Sequence, residues 1–363
     1  MTPTIADTID QLTRDITPPS EAWRSKARAR LDTLTKPLGS LGRLEDLAAQ
    51  VVAIREGRLA SPSGPIGKSV YVFAADHGIT AEGVSAYPRE VTHQMVLNFL
   101  AQGAAVNVLA RLHGVELHVV DVGVDADFRG VAGLHHHKVA NGTRNMLREE
   151  AMDDGQLEQA LGVGATLAAE AGAAGQSLVA IGEMGIGNTT SASVITCALT
   201  GAPPELATGR GTGLDSAAHQ RKIGVVRDVL VKHSLDLSRP LQPLEILCRV
   251  GGLEIAAMTG MVLAASSHKL AVVVDGFIST AAAALAVAIE PKALGYLIAG
   301  HRSQEPGHAL LLEHLNLIPV LALDMRLGEG TGAVLAISIV ESAICLYTQM
   351  ATFTSAGVSE ASE

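Results

Sequence analysis

Six short apolar runs punctuate the chain, at 69–76, 116–123, 177–183, 271–275, 294–300 and 318–324, and each has the length of a buried strand. Between them lie Ala- and Leu-rich stretches with helical spacing, at 90–112, 156–171, 216–233, 244–265 and 277–289. Strands that alternate with helices need crossover connections, which set the strands parallel and put helices on both faces. The pattern therefore predicts an α/β fold on a mainly parallel six-stranded sheet. Before residue 60 it changes to helices rich in Arg, Asp and Glu, broken at Pro18-Pro19 and Lys36-Pro37, and a last apolar helix is expected over 332–348. The expected division is a small helical domain from 1–60 with 345–363, and a large domain over 61–344.

Composition changes this picture in two ways. Apolar residues make up 48% of the chain but aromatics only 3%, so the core must be Ala, Val, Leu and Ile, with 37 glycines allowing close backbone approach. The net charge of −10, with its basic residues dispersed, argues against a groove that follows nucleic-acid phosphates. Cys197, Cys248 and Cys345 sit in apolar helical stretches without metal or redox spacing and are expected to be buried thiols in a reducing compartment. The acidic first twenty residues do not resemble a signal peptide, and Asp275 and Glu341 interrupt the most apolar stretches, so a cytoplasmic protein without membrane contact is expected.

Ligands of open parallel sheets bind beyond the carboxyl ends of the strands. Five polar, glycine-rich segments follow strand candidates here: those beginning at Ala75, Gly182, Asp275, Gly300 and Leu327. In Gly182-Glu183-Met184-Gly185-Ile186-Gly187-Asn188-Thr189-Thr190-Ser191 the chain passes from strand through glycines to good N-cap residues. That arrangement presents free N–H groups and the positive end of a helix dipole to a phosphate. The turn at 209–215 leads to a helix carrying Lys222, a phosphate counter-charge or, by its type alone, a solvated surface lysine. Gly328-Glu329-Gly330-Thr331-Gly332-Ala333 fits a loose dinucleotide pattern, but no strand follows it to bind a ribose, and a glutamate there suits proton abstraction better. His135-His136-His137 has no metal-ligand spacing, and His77, His301 and His308 read as supporting groups near the crevice.

Seven segments together carry a resemblance: 36–45, 75–79, 84–88 with 91–95, 182–191, 209–215, 300–308 and 326–333. In this order they closely resemble the nicotinate-nucleotide–dimethylbenzimidazole phosphoribosyltransferases of cobalamin biosynthesis. Departures are small, such as His93 before Gln94 and Ala101-Gln102 where a glycine pair is more usual. The resemblance implies a Rossmann-like large domain, a small domain from both chain ends and a homodimer. It implies Glu329 as proton acceptor, with Glu183 near the nucleotide as a stabiliser of the cation-like ribose or a secondary base. It places the nucleotide near Gly185, Gly187, Thr189, Thr190, Gly211, Lys222 and Ser303, and the aromatic base near Ser85, Gln94 and Leu327.

The implied substrates are nicotinate mononucleotide and 5,6-dimethylbenzimidazole, with no cofactor, no metal and no nucleic-acid partner. The departing pyridinium needs no metal, and no acidic pair at a strand end offers a metal-diphosphate site. A non-catalytic nucleotide sensor, a dinucleotide oxidoreductase and a different acceptor base remain open from the residues alone.

Overall fold

A computed structural model describes residues 5–59, 66–211, 213–235 and 241–359. Thr212, inside the 209–215 turn, and the expected boundary at 60/61 lie outside the described residues. The sheet has six strands: β1 (Lys68–Ala75), β2 (Glu116–Gly123), β3 (Leu134–His136), β4 (Leu178–Met184), β5 (Ala271–Val274) and β6 (Leu297–Ala299). Their order is β3-β2-β1-β4-β5-β6, with every pairing parallel. The order reverses between β1 and β4, and such a switch opens a crevice outside the strand ends.

Two features correct the sequence reading of the sheet. The run 318–324 is not a sheet strand. It lies beside the end of β6 in one parallel bridge, His301 to Leu321, because Pro319 has no N–H to donate and Asp324 turns the chain at φ 54°. The sixth strand is instead β3, which takes in Leu134 and two residues of the histidine run. Two expected helices are each divided. The stretch 90–112 breaks into Val91–Leu100 and Ala105–His113, with Gln102 left-handed between them. The stretch 244–265 breaks into Pro243–Val250 and Leu253–Ser267 at Gly251-Gly252. A Cβ on Gly252 would sit 2.5 Å from His77 Cε1, so the break makes room for a buried histidine.

The alanine- and glycine-rich composition permits very close helix packing. Helices Asp154–Ala173 and Leu253–Ser267 cross where a Cβ on Gly164 would stand 1.8 Å from the Ala257 carbonyl and one on Gly260 would stand 2.1 Å from that of Leu161. Helix Leu253–Ser267 covers β1, β2, β4 and β5, while helix Thr331–Gln349 lies across β1, β4 and β5 from the other face. The latter is long and apolar enough to cross a membrane by length and composition, but half of its most apolar window is buried against the sheet and neighbouring helices.

The chain ends meet beside this helix. Leu34 and Thr352 form an antiparallel bridge, and Arg30 Nε donates to the Tyr347 carbonyl at 2.8 Å. Lys36 and Glu45 pair in the interior at 2.8 Å, fixing the 36–45 turn. Cys197 and Cys248 are buried, but Cys345 is exposed on helix Thr331–Gln349, against expectation, because it lies on the face turned from the sheet.

Candidate active site

A cavity of about 330 Å³ opens at the carboxyl ends of β4, β5 and β6. One wall is the loop before helix Thr331–Gln349. Gly328, Glu329 and Gly330 are left-handed in succession, at φ 82°, 64° and 84°. Glycine takes this conformation freely, but glutamate does not, so the Glu329 backbone must be held by its surroundings. Asp275, at the end of β5, holds it: one carboxylate oxygen accepts Gly330 N–H at 3.1 Å and the other accepts Ala333 N–H at 2.8 Å. Gly182 in β4 completes the seat, since a Cβ there would lie 2.5 Å from Gly330 N.

Glu329 is 6% exposed and its Oε2 is buried without a hydrogen-bond partner. Burial, with the negative charge of Asp275 behind it, pushes its carboxyl up to about 7. Glu183 stands beside it, where a Cβ on Gly328 would come 2.3 Å from Glu183 Oε1. Burial pushes Glu183 up to about 8, opposed by the Asn188 amide that donates to Oε2 and reinforced by Glu254, Asp275 and Glu329. The Asp275 carboxyl is also raised by burial, against the pull of His301 and the backbone N–H groups it accepts.

The facing wall joins a buried cation to a helix N-terminus. Helix Asn188–Thr200 begins at left-handed Gly187, and Thr189 in its first turn accepts from Lys222 Nζ at 2.8 Å. Lys222 is fully buried on helix Ser216–Lys232, and burial lowers its ammonium to about 8, with Glu305 pulling the other way. A Cβ on Gly211 would lie 3.3 Å from that ammonium, and Arg326 Nη1 ties the Gly211 carbonyl to the opposite wall at 3.2 Å. Ser303 N–H and Oγ both meet His308 Nδ1, at 3.0 and 3.1 Å. His308 is pushed down to about 3 by burial, so its ring is neutral, and with Nδ1 accepting, its Nε2–H donates to Thr280 Oγ1 at 3.0 Å.

Beneath the floor His77 Nε2 meets Glu254 Oε1 at 2.6 Å, and Ser191 Oγ lies 3.3 Å from His77 Nδ1. All three are buried.

The cavity brings Glu329, Glu183, Gly185, Thr189, Gly211, Ser303 and Leu327 together. Leu327 is 55% exposed at its mouth. Lys222 reaches the cavity through Thr189, whereas Gly187 and Thr190 stand behind the lining, Thr190 with a buried, unbonded hydroxyl. Ser85 and Gln94 do not line it. Ser85 Oγ accepts Tyr87 N–H at 3.2 Å and Gln94 is exposed, while Tyr87 itself lines the cavity.

Sequence reasoning did not assign roles to Tyr87, Phe277, Glu305 or Arg326, and it took Asn188 only as a helix N-cap candidate, a position that Gly187 holds. Tyr87, Asn188, Glu305 and Arg326 lie within matched segments, which was signal enough, but Phe277 reads as ordinary core. Among the described residues no three His, Cys, Asp or Glu side chains gather in a metal-binding arrangement. In the histidine run, His135 Nε2 meets His118 Nδ1 at 3.1 Å, on the sheet edge.

The chain is similar to known proteins over most of its length. A family model described as phosphoribosyltransferase matches residues 16–358. The nicotinate-nucleotide–dimethylbenzimidazole phosphoribosyltransferase of Chloroflexus aggregans is 49% identical over 358 residues, covering 98% of this chain and 99% of its own. That of Geobacter sulfurreducens is 48% identical, covering 95% and 96%. The crystal structure of CobT from Thermus thermophilus aligns with a TM-score of 0.87 at 44% identity, over 94% of this chain and 100% of that one.

Proposed function

The chain belongs to the phosphoribosyltransferase family that includes the nicotinate-nucleotide–dimethylbenzimidazole enzymes, and from that membership we propose how its cavity divides the work of the reaction. The enzyme transfers the 5-phosphoribosyl group of nicotinate mononucleotide to 5,6-dimethylbenzimidazole, giving α-ribazole 5′-phosphate and nicotinate, for assembly of the cobalamin lower-ligand nucleotide loop.

The leaving group helps itself. As its bond to C1′ breaks, the electron pair returns to a pyridinium nitrogen and cancels its charge. The nucleophile is the difficult partner: one ring nitrogen of the benzimidazole attacks C1′ while the other carries a proton that turns acidic as positive charge develops. Glu329 accepts that proton and ends the step as the neutral acid, to be deprotonated by solvent after product leaves. Attack opposite the departing nicotinate converts the β-nucleotide to the α-ribotide. The observation that carries this reading is the buried Glu329 carboxylate with Oε2 unbonded, on a wall tied down by Asp275.

In this reading Thr189, Gly211, Lys222 and Ser303 receive the phosphate, Gly185, Gly187 and Thr190 shape the helix start that faces it, and Leu327 lies against the flat base. Ser85, which accepts Tyr87 N–H, extends the base site through Tyr87, and Gln94 lies outside its lining. Glu183, held by Asn188, is a hydrogen-bond donor in its neutral form. Fixing both reactants in this way supplies much of the acceleration.

We further propose a cytoplasmic homodimer without nucleic-acid, membrane or metal partners, with a small helical domain from the chain ends. The charge of −10 argues against a nucleic-acid partner, and the outward-facing Val108 and Leu112 support self-association, which sedimentation tests. For the reaction, purified protein is incubated with both substrates in metal-free buffer, and nicotinate release and α-ribotide formation are followed by chromatography. Formation of both in equal amounts is expected; tight nucleotide binding without product would overturn the reading in favour of a sensor.

A further inference from the structure

His301 lines the cavity between the two walls and belongs to neither. Its ring is 1% exposed, yet neither Nδ1 nor Nε2 has a hydrogen-bond partner. Other imidazoles buried around the crevice are satisfied: His77 by Glu254 and Ser191, His308 by Ser303 and Thr280. An unsatisfied buried polar group at a cavity wall costs stability until a ligand completes it.

The surroundings shape a socket for this ring. Nε2 lies 3.7 Å from Asp275 Oδ1, and Gly332 and Gly276 leave it room: a Cβ on Gly332 would lie 2.0 Å from Cδ2 and one on Gly276 3.3 Å from Nε2. His308 meets it edge to face, with ring centroids 6.2 Å apart. Ser303, two residues on, belongs to the anion wall, whereas Asp275 belongs to the wall that carries Glu329. A nucleotide with its phosphate at the first and its C1′ before the second must pass its sugar across His301.

We propose that His301 binds substrate by hydrogen-bonding a ribose hydroxyl of the nucleotide, with Asp275 setting the orientation of the ring. A hydroxyl both donates and accepts, so it satisfies an imidazole nitrogen that carries a proton or one that does not. The same Asp275 then positions both the sugar and the base-bearing loop. The inference rests on the reading that nicotinate mononucleotide is the donor.

The test measures kcat/KM for α-ribotide formation from nicotinate mononucleotide and from its 2′-deoxy and 3′-deoxy analogues, in the wild-type enzyme, His301→Asn and His301→Ala. The variants should lose about tenfold or more on the ribonucleotide. On the analogue that lacks the contacted hydroxyl they should lose less than about threefold, since a missing contact cannot be lost twice. An equal loss on all three donors would leave the ring a purely structural part and overturn the inference. Should neither variant fold, calorimetric binding to the wild type decides: both deoxy analogues binding as tightly as the ribonucleotide would also overturn it. If the wild type makes no α-ribotide, the reaction assignment falls and takes this inference with it, whereas product with unchanged donor ratios overturns the inference alone.

Discussion

The two walls of the cavity respond to burial in opposite directions. On one, Glu329 and Glu183 are pushed up to about 7 and about 8; on the other, Lys222 is pushed down to about 8. Desolvation penalises charge of either sign, so both walls are driven toward neutrality in the free enzyme. The walls differ in what restores charge. A bound phosphate would favour the ammonium form of Lys222, while the carboxylate form of Glu329 depends on pH, because the charge behind it is that of Asp275. The anion wall is therefore prepared by its ligand, and the base wall by the medium.

The largest expected effect separates the walls by kinetics. Glu329→Gln keeps the shape of the base wall and removes its proton acceptor, so kcat should fall by about 10²–10⁴-fold with little change in nucleotide affinity. Near-wild-type turnover would remove Glu329 from its role. On the other wall, Lys222→Met should raise KM for the nucleotide by about 10–100-fold, the cost of a charge-assisted hydrogen bond, and lower kcat less. A purely kcat-based defect there would erase the contrast.

The third effect is a pH shift. In its proposed role Glu329 must be ionised, so kcat/KM should fall as pH drops below about 7. The charge of Asp275 raises this value, so Asp275→Asn should move the acid limb to lower pH as well as slow the enzyme. Loss of activity with an unmoved pH profile would mean that Asp275 acts only as a cap.

The smallest effect is thermodynamic. The carboxyl of Glu183 is raised in the folded state from an ordinary 4.5 to about 8, so its contribution to stability is intact below the lower value and lost as pH rises through the higher. Glu183→Gln should therefore melt at nearly the wild-type temperature at pH 5 and at a higher temperature at pH 9. Equal shifts at both pH values would contradict the burial account.

What the sequence made legible follows from how local each signal is. Strands bounded by glycine and carrying continuous apolar runs were readable, as was the place of Glu329 in the cavity wall, because a glutamate between glycines has little structural reason to be there. β3 was not readable: three residues including two histidines carry no periodicity, and only pairing with β2 makes them a strand. The run 318–324 misled because it is apolar and extended, and only the proline and the turn at Asp324 deny it a ladder. The burial of Lys222 was not readable, since by its type alone it is a surface lysine and nothing in its neighbourhood announces that Thr189 and Gly211 close over it. Asp275 shows the same limit: its backbone partners lie 55 and 58 positions later.

That separation makes catalysis an assay of completed folding. The conformation of Glu329 depends on an acceptor more than fifty residues upstream, and its loop opens a helix that must dock across three strands near the end of the chain. A chain halted before that helix docks would carry most of the sheet and much of the anion wall but no ordered base. During refolding, burst recovery of nucleotide binding should precede recovery of turnover, and limited proteolysis after residue 330 should silence the enzyme while leaving the sheet intact.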